Sequence, residues 1–541
     1  MTPPAQRWVA ALCLLTLTCA GAPAWADPPS NERSLTELQN TVINLLQALV
    51  DKGLLTREQA QQLVKQAQDK AATDAASAAA ANATQAKEDQ NAVRVPYVPQ
   101  IVKDEISQQV AQEVKPAVEA DLAKDNKMPP WLARVSVFGD LVVRGQANWY
   151  PSGNGQILNY NTVNTAGGIT KATYPYLDTT DNAYFLRLRA RLGVEARVTD
   201  TLKAYIRLAS GSLTNVAGSE SQTLGQYGNR YNVGIDQAYL IWNSSTPDTL
   251  PIATVMGGRT PNPWFSPTEL EFARDLTFEG IAETTRLGWG DGDADASHVY
   301  LTLGGFPMLM SPLQPSQSKW LVGAQLGTNL RFNDGEDHLR LAAAFYDYFN
   351  VTGQVNSPYS TQLNYTAPAF VQNGNTMFNI ANNPGDPTAQ LWALASKFRI
   401  ADLAAQYEHY FDRYSMAVVA QAARNYGYHL ADIEALSGQS FSSPQNKGYV
   451  GEFSFGDPLV DRFGLWRAAV GYRHVQSDAV LDAWTDADFH EGGTNATGYY
   501  LWGSVGLAYN TWLRVRYMSG NEITGTRYAL DILQIDVGTR F

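Results

Sequence analysis

The sequence predicts an all-β transmembrane barrel of about 16 antiparallel strands, preceded by an N-terminal α-helical periplasmic segment. Two observations predict the barrel: apolar and polar residues alternate from about residue 134 onward, and the links between these stretches alternate between long and short. A strand points successive side chains to opposite sides, so alternation gives one apolar and one polar face. In a soluble sandwich the apolar face would form a core, whereas in a membrane barrel it meets lipid.

The alternation is clearest in two stretches. In residues 184–198 the apolar residues alternate with arginines at three successive inward positions, and a two-residue turn at Thr199-Asp200 follows. The end of the chain repeats the pattern, with one apolar face made by Leu533, Ile535, Val537, Thr539 and Phe541. A long polar face rich in fixed charge suits a water-filled lumen better than the outside of a soluble sandwich.

The connection lengths fix the expected strand count. The stretches are 134–149, 183–198, 202–210, 233–243, 251–259, 280–290, 298–306, 319–332, 338–349, 391–410, 414–425, 448–456, 463–475, 498–509, 512–520 and 527–541. Bacterial barrels have an even strand number, short turns on one side and long loops on the other. The count of sixteen depends on residues 391–410 forming one strand, because a turn near Ala401-Asp402 would add another.

The first 26 residues predict a secretory signal peptide. Arg7 supplies the positive region, residues 8–17 are apolar, and Ala24-Trp25-Ala26 forms a cleavage site. Both cysteines lie within this segment. The formal charge of the chain is −12 and becomes −13 when Arg7 is removed, which argues against nucleic acid as a partner. No later apolar run reaches the roughly 20 residues that a membrane-spanning helix needs.

Residues 27–133 predict a helical periplasmic extension and linker. Apolar residues recur at helical spacing in 35–49, Thr56 and Gln59 form a capping box, and residues 71–86 are mostly alanine. A third apolar stripe, Ile106 to Leu122, is interrupted by Pro116. Two interpretations stay open: a helical stalk or spacer, which the weak caps favour, and a coiled-coil oligomerisation segment that contacts the cell wall.

Arginine dominates the cations of the predicted barrel. Residues 134–541 contain 23 arginines and five lysines, and a guanidinium keeps its charge beside other cations. Five arginines share the lumen face of the first three strands, and we expect them to form one basic wall of a pore: Arg144, Arg187, Arg189, Arg191 and Arg207. The alternative is that each is paired with a carboxylate, as in any wet barrel interior, without a selective role.

The opposing charge is expected from residues 260–279, the third long loop. Three prolines and the pair Trp264-Phe265 indicate a loop of fixed shape, and its acids are Glu269, Glu271, Asp275 and Glu279. Folded into the lumen, the loop would narrow the channel and place acids across from the arginine wall. Fixed charges on facing walls set a field that orients polar solutes. The alternative is an ordinary acidic surface loop.

The sequence holds no catalytic or metal-binding pattern, so we expect neither an enzyme nor a cofactor. The six histidines lack metal-ligand spacing, and there is no nucleophile elbow or phosphate-binding loop. The segment Asp291-Gly292-Asp293-Ala294-Asp295 resembles a calcium loop, but it lacks the distal glutamate and falls where a short turn is expected. A turn is the better interpretation.

Several stretches resemble a family of proteobacterial outer-membrane porins that pair a barrel with an N-terminal helical stretch. The barrel stretches are GDLVVRGQ (139–146), FLRLRARLGVEARV (185–198), DQAYL (236–240), GGRTPNPW (257–264) and DLTFEG (275–280). The N-terminal stretches are LLQALVDKGLLTREQAQQL (45–63) and VRVPYVPQIVK (93–103). The terminal Phe541 also resembles the signal read by outer-membrane assembly machinery. The resemblance implies a pore and names no solute.

The expected function is therefore an outer-membrane porin for passive diffusion of small hydrophilic or ionic solutes. Its partners would be membrane lipid, the assembly machinery and, by analogy with porins of this size, two further copies in a homotrimer. The alternative from another class is the same barrel in a plugged form, serving as an envelope anchor with little channel activity. Conductance steps in a planar bilayer distinguish the two.

Overall fold

The computed structural model describes residues 134–541, apart from 219, 248, 290–295 and 313. These residues form a closed barrel of sixteen antiparallel strands. The predicted signal peptide, the helical extension of residues 27–133 and the acidic turn at Asp291–Asp295 lie outside the described residues. Within the described chain, no helix has the length and apolarity needed to cross a membrane.

The sixteen barrel strands are numbered in chain order. They are β1 Val135–Trp149, β2 Ala183–Arg197, β3 Leu202–Ser210, β4 Val233–Asn243, β5 Ala253–Thr260, β6 Phe278–Gly288, β7 His298–Leu309, β8 Lys319–Phe332, β9 Asp337–Phe349, β10 Phe398–Tyr410, β11 Ser415–Asn425, β12 Lys447–Gly456, β13 Trp466–Val475, β14 Ala496–Ala508, β15 Thr511–Glu522 and β16 Ala529–Arg540. Sixteen is the number that the connection lengths predicted.

The first and last strands close the barrel. Strand β1 pairs with β2 and also with β16, in a register that runs from Asp140 opposite Arg540 to Trp149 opposite Asp531. Beyond the last strand, Phe541 exchanges two backbone hydrogen bonds with Gly139, at 3.0 and 3.1 Å. Closure leaves no unpaired sheet edge, which a strand-built protein needs in hydrocarbon.

The outer surface is apolar and the interior is polar, as the alternation predicted. Leu186 and Leu192 on β2 are 52% and 48% exposed, and Leu501 on β14 is 46% exposed. Between such residues lie inward side chains that are buried, among them Gln325 and Gln534 at 0% and 1%. An apolar outer face with a polar interior is the arrangement of a barrel that faces lipid.

Short turns and long loops lie at opposite ends. The loops at the long end cover 150–182, 211–232, 261–277, 310–318, 350–397, 426–446, 476–495 and 523–528. They include the helices α1, Tyr160–Ala166, and α2, Leu430–Ser437, and a small hairpin of Met377–Asn379 with Trp392–Leu394. Both barrel ends fall on the short-turn side, which is periplasmic in outer-membrane barrels.

The predicted strand 391–410 is the main difference in element bounds. Strand β10 begins only at Phe398 and continues without a turn through Ala401 and Asp402, which pair with Phe345 and Ala344 of β9. The residues before it belong to the separate hairpin that ends at Leu394. Their apolar character comes from burial in the loop layer, where Ala393 and Leu394 are 0% and 2% exposed.

The largest apolar cluster lies inside the barrel. It joins inward strand residues to residues of the loops 261–277, 350–397 and 476–495, with Leu270, Leu321 and Val480 all fully buried. The loops at the long end therefore fold down into the lumen and pack there. Part of the interior is a packed core, and the remaining space is the site described next.

Candidate functional site

A polar cavity of about 870 Å³ occupies the lumen beside strands β1 to β3, β15 and β16. The loops 211–232, 261–277, 350–397 and 476–495 also contribute lining residues. All five arginines of the predicted wall line this cavity: Arg144, Arg187, Arg189, Arg191 and Arg207. The alternation explains their position, because every second residue of a strand faces the same way.

Most arginines of the wall are bound to carboxylates. Arg144 donates from Nε to Asp536 at 2.7 Å and from Nη1 to Asp488 at 2.8 Å. Arg191 contacts Asp140 and lies 3.0 Å from Glu220. Such bonds hold the guanidinium planes in fixed orientations and cancel much of their charge. These arginines supply shape and hydrogen-bond donors more than net positive charge.

The remaining pairs continue this network into loop 211–232. Glu220 accepts a hydrogen bond from a second arginine, Arg207, whose Nη2 lies 3.0 Å away. Arg207 also contacts Asp236 on β4. The Glu220 side chain is only 2% exposed. A carboxylate so deeply buried requires cationic partners, and here it has two. Loop 211–232 is thereby attached to the wall at Arg191 and Arg207.

Arg187 differs from its neighbours on β2. Among the described residues, no carboxylate lies within 4.0 Å of its guanidinium, and its buried Nε has no hydrogen-bond partner. Its guanidinium lies beside the ring of Phe185, whose centroid is 5.3 Å from Arg187 Cζ. No carboxylate contacts Arg187 directly, so less of its field is cancelled than at Arg144 and Arg191.

The four acids of the predicted constriction loop have different positions. Glu269 and Asp275 line the cavity, and Asp275 lies 3.6 Å from both Arg189 and Arg191. Asp275 thus contacts the arginine wall itself rather than facing it across the lumen. Arg274, on the same loop, also lines the cavity and is 66% exposed at its side chain.

The other two acids do not reach the cavity. Glu271 is 1% exposed and accepts a hydrogen bond from Tyr348 at 2.8 Å. Burial and the neighbouring charge of Asp402 raise the pKa of Glu271 well above its usual range, which favours the neutral acid. Glu279 belongs to β6, which begins at Phe278, so alternation turns it outward, where it meets Arg259 at 2.5 Å.

The fixed shape of loop 261–277 comes from an aromatic cluster. Trp264 is 4% exposed, and its ring centroid lies 4.9–5.5 Å from those of Phe272, Phe278, Phe306 and Tyr346. Edge and offset contacts at this spacing are favourable beyond the area that they bury. This cluster holds the loop inside the barrel. The Trp-Phe pair and the prolines indicated a loop of fixed shape, but they did not identify the rings against which Trp264 packs.

A second loop, 476–495, shares the constriction and was not predicted to enter the lumen. Its backbone bonds the first loop, from Ala273 N to Trp484 O at 2.7 Å. Its Asp488 lies between Arg144 and Arg516, at 2.8 and 3.1 Å. Burial alone would raise the pKa of Asp488, but these arginines outweigh it and hold the pKa below its usual range. Asp488 is therefore an ionised member of the site.

Strand β15 adds cations that the predicted arginine wall did not include. Arg514 and Arg516 alternate inward and line the cavity together with Arg540 of β16. Arg514 donates to Ser504 at 2.7 Å and stacks on Trp502, with no carboxylate of the described chain within 4.0 Å. The alternation in residues 512–518 would have identified this pair, since it is the same signal as on β2.

Arginines outnumber acidic side chains in the lining, nine to six, although the whole chain has a formal charge of −12. Two acids outside the lining, Glu220 and Asp236, also pair with the lining arginines Arg191 and Arg207. Among residues with described positions, no group of three or more His, Cys, Asp or Glu side chains is arranged to hold a metal ion. The site is a charged aqueous constriction within a transmembrane barrel, which is the design of a diffusion channel.

The family comparison agrees with this class of protein. The sequence matches the family described as "Putative porin" over residues 39–541, and the chain belongs to that family. The resemblance noted in the sequence is thereby confirmed, and the protein is an outer-membrane porin channel rather than an enzyme. A search of the curated proteins found no match.

The comparison with solved structures gave matches of low sequence identity and low TM-score. OprB of Pseudomonas putida is 8% identical, with a TM-score of 0.42, and the alignment covers 76% of this chain and 95% of that one. The channel DcaP of Acinetobacter baumannii is 13% identical, with a TM-score of 0.38 and coverage of 75% and 97%. OmpT of Vibrio cholerae is 10% identical, with a TM-score of 0.37 and the same coverage.

Proposed function

We propose that this porin passes small hydrophilic solutes by passive diffusion and favours anions at its constriction. The observation that carries the proposal is the excess of arginines over carboxylates among the residues that line the lumen cavity. Within the constriction, Arg187 and Arg514 have no carboxylate partner among the described residues. Uncompensated charge in a narrow, low-dielectric passage raises the local concentration of counter-ions.

The bound arginines and the unbound ones have separate roles in this proposal. Arg144 and Arg191 hold the loops 476–495 and 211–232 through Asp488 and Glu220, and so set the width of the passage. Arg187 supplies net charge. A solute anion passing Arg187 meets a donor that needs no prior separation from a protein carboxylate, so contact costs little reorganisation.

The test is the reversal potential of single channels in a planar bilayer under a tenfold KCl gradient. We expect the wild-type potential to have the sign of anion preference. Substituting Arg187→Gln and Arg514→Gln together should move it toward the cation side. A matched control is Arg462→Gln, because Arg462 lies in a short turn and is 74% exposed. Cation preference in the wild type, or equal potentials in all variants, would reject the proposal.

We propose further that the barrel assembles as a homotrimer. The support is Glu283, which lies mid-strand on β6 and faces outward, in register with Val255 and Leu303 of its neighbours. A carboxylate at mid-membrane depth is unfavourable in lipid, so cover by a second copy stabilises it. Analytical ultracentrifugation in detergent should give a trimer that Glu283→Arg dissociates, whereas Asp531→Arg on β16 should not. A monomeric wild type contradicts this proposal.

The N-terminal assignments are proposals as well. We propose that residues 1–26 are cleaved, that residues 27–133 are a helical periplasmic extension, and that Phe541 is read during assembly. Their support is the sequence pattern and the position of β1, whose first residue lies at the short-turn end. N-terminal sequencing of the mature protein should begin at Asp27. Deletion of Phe541 should lower the folded fraction in the outer membrane, and unchanged levels would contradict its role.

A further inference from the structure

A basic patch lies on the outer face of the barrel, away from the lumen. Arg399, Arg424 and Lys447 stand at the long-loop ends of β10, β11 and β12. Each is exposed while the next residue along its strand is buried, at Ile400, Asn425 and Gly448. Because alternate residues face opposite ways, the three cations point outward at the extracellular boundary of the membrane. We call these three residues the rim patch.

Two of the three cations lie directly opposite each other without a counter-ion. Arg424 and Lys447 are register partners across β11 and β12. Arg399 has Asp347 at 3.4 Å, but no carboxylate of the described chain lies within 4.0 Å of Arg424 or Lys447. Like charges directly opposite on paired strands are destabilising. An anion bound between them would remove that repulsion.

The same two cations line a cavity of about 400 Å³ at this boundary. Its lining includes Tyr428, which is 8% exposed and whose buried hydroxyl lies near the backbone N–H of Gln445 but donates to no acceptor in the described chain. Asn446, also in the lining, has a buried Oδ1 without a partner. A buried polar atom without a partner is unfavourable, so these atoms indicate a missing polar ligand. The Tyr428 hydroxyl suits an anion, and Asn446 Oδ1 suits a hydroxyl group.

Aromatic side chains surround the cations on the outer face. Arg424 lies over the ring of Tyr426, at 5.0 Å from its centroid, and Tyr426 is 58% exposed. Next to Lys447 on the same face, Tyr449 is 46% exposed and stacks on His474 at 4.9 Å. Tyrosines at the membrane boundary sit at the level of lipid headgroups. The patch therefore faces headgroups rather than the channel.

We propose that the rim patch binds the phosphate of a phosphorylated lipid headgroup in the outer leaflet. Arg424 would meet two phosphate oxygens through its planar fork, Lys447 would act as a point charge, and Tyr428 would donate its hydroxyl. Asn446 Oδ1 would accept from a sugar hydroxyl of the same headgroup. The proposal concerns the outer face only and does not depend on the anion preference of the lumen.

The experiment measures binding of fluorescent diphosphoryl lipid A to the full chain in detergent. We expect the double variant Arg424→Gln with Lys447→Gln to bind at least tenfold more weakly than the wild type, and Tyr428→Phe to bind more weakly as well. The exposed turn variant Arg462→Gln should bind like the wild type. The charge-conserving pair Arg424→Lys with Lys447→Arg should retain binding, which separates loss of charge from a folding defect.

A second arm distinguishes the source of the phosphate. Inorganic phosphate at millimolar concentration should not displace the lipid if the patch recognises a headgroup held at the membrane surface. Displacement by phosphate at that concentration would assign the site to soluble phosphate and overturn the lipid proposal. Equal lipid binding by the wild type and the double variant would overturn it entirely. Unchanged single-channel conductance in the double variant shows that the barrel has folded.

Discussion

Truncation of Trp264 tests whether the lumen loop 261–277 sets the width of the channel. The indole packs against four aromatic rings and is almost completely buried. Two inward glycines leave room for it, since a Cβ at Gly323 or Gly304 would approach the ring to 2.5 or 2.9 Å. Trp264→Ala removes this packing and leaves a cavity, at a cost of about 3–5 kcal/mol for a buried aromatic.

The strands that carry the barrel do not depend on this side chain, so the loss falls on the loop. The loop keeps other anchors without the indole, among them the buried Leu270 and Phe272 and the bond from Phe265 N to Gln325 at 2.7 Å. A loss of about 3–5 kcal/mol changes the ratio of seated to unseated loop by roughly a hundredfold to several thousandfold. We therefore expect the unseated state to become visible as larger and noisier conductance steps.

The assay is single-channel conductance of refolded protein in a planar bilayer. The matched control is Trp242→Ala, because Trp242 is 43% exposed on the outer face of β4 and does not contact the lumen loop. Gel mobility before and after heating reports whether each barrel has folded. If folded Trp264→Ala gives the same mean conductance and the same current noise as the wild type, the loop does not set the channel width.

Three further predictions concern charge inside the barrel. Asp488→Asn removes the acid shared by Arg144 and Arg516, so the reversal potential should move further toward anion preference; movement toward cations would contradict the charge assignment. Burial raises the pKa of Asp482 to about 8, so the folded state favours its neutral form. The contribution of Asp482 to the free energy of unfolding is therefore complete below about pH 4 and is lost as the pH rises toward 8. Thermal unfolding at pH 5 and pH 8.5 should show that loss, and Asp482→Asn should reduce it; an unchanged pH dependence would refute it. Arg191→Gln removes one of the two arginines that pair with the buried Glu220 and leaves Arg207, so it should lower the free energy of unfolding by less than the about 3–5 kcal/mol expected for a carboxylate left with no cationic partner, whereas Arg187→Gln should change the unfolding midpoint little. Equal midpoints would contradict the pairing.

The strands were predictable from the sequence because their signal is local. Alternation on β2 depends only on each residue's neighbours, and it is enough to direct Arg187, Arg189 and Arg191 into the lumen, where all three line the cavity. The positions of the loops could not be predicted in this way. Loop 476–495 enters the lumen because its residues match partners far along the chain, as in the bond between Trp484 and Ala273. Nothing in its own composition indicates that match.

The pairing of charges had the same limitation, and it alters the meaning of the arginine wall. Five arginines on one face suggest five positive charges, but Arg144 is held by two carboxylates and Arg191 by three, all contributed by other elements. Asp140 is on the neighbouring strand, and Glu220 and Asp488 come from loops distant in sequence. Because a bound carboxylate cancels the field that a mobile ion would feel, the number of arginines does not give the selectivity.

The inward arginines fall into two groups, those paired with carboxylates and those without such a partner. The paired arginines attach loops to the wall, and in the function that we propose the charge available to a passing ion comes from positions without a carboxylate partner in the described chain, such as Arg187 and Arg514. Substitution of an arginine has different effects in the two groups. Loss of a paired arginine leaves a buried carboxylate and weakens the structure, whereas loss of an unpaired one removes field and leaves the structure in place. Stability and ion preference can therefore change independently in this barrel, although both depend on inward arginines.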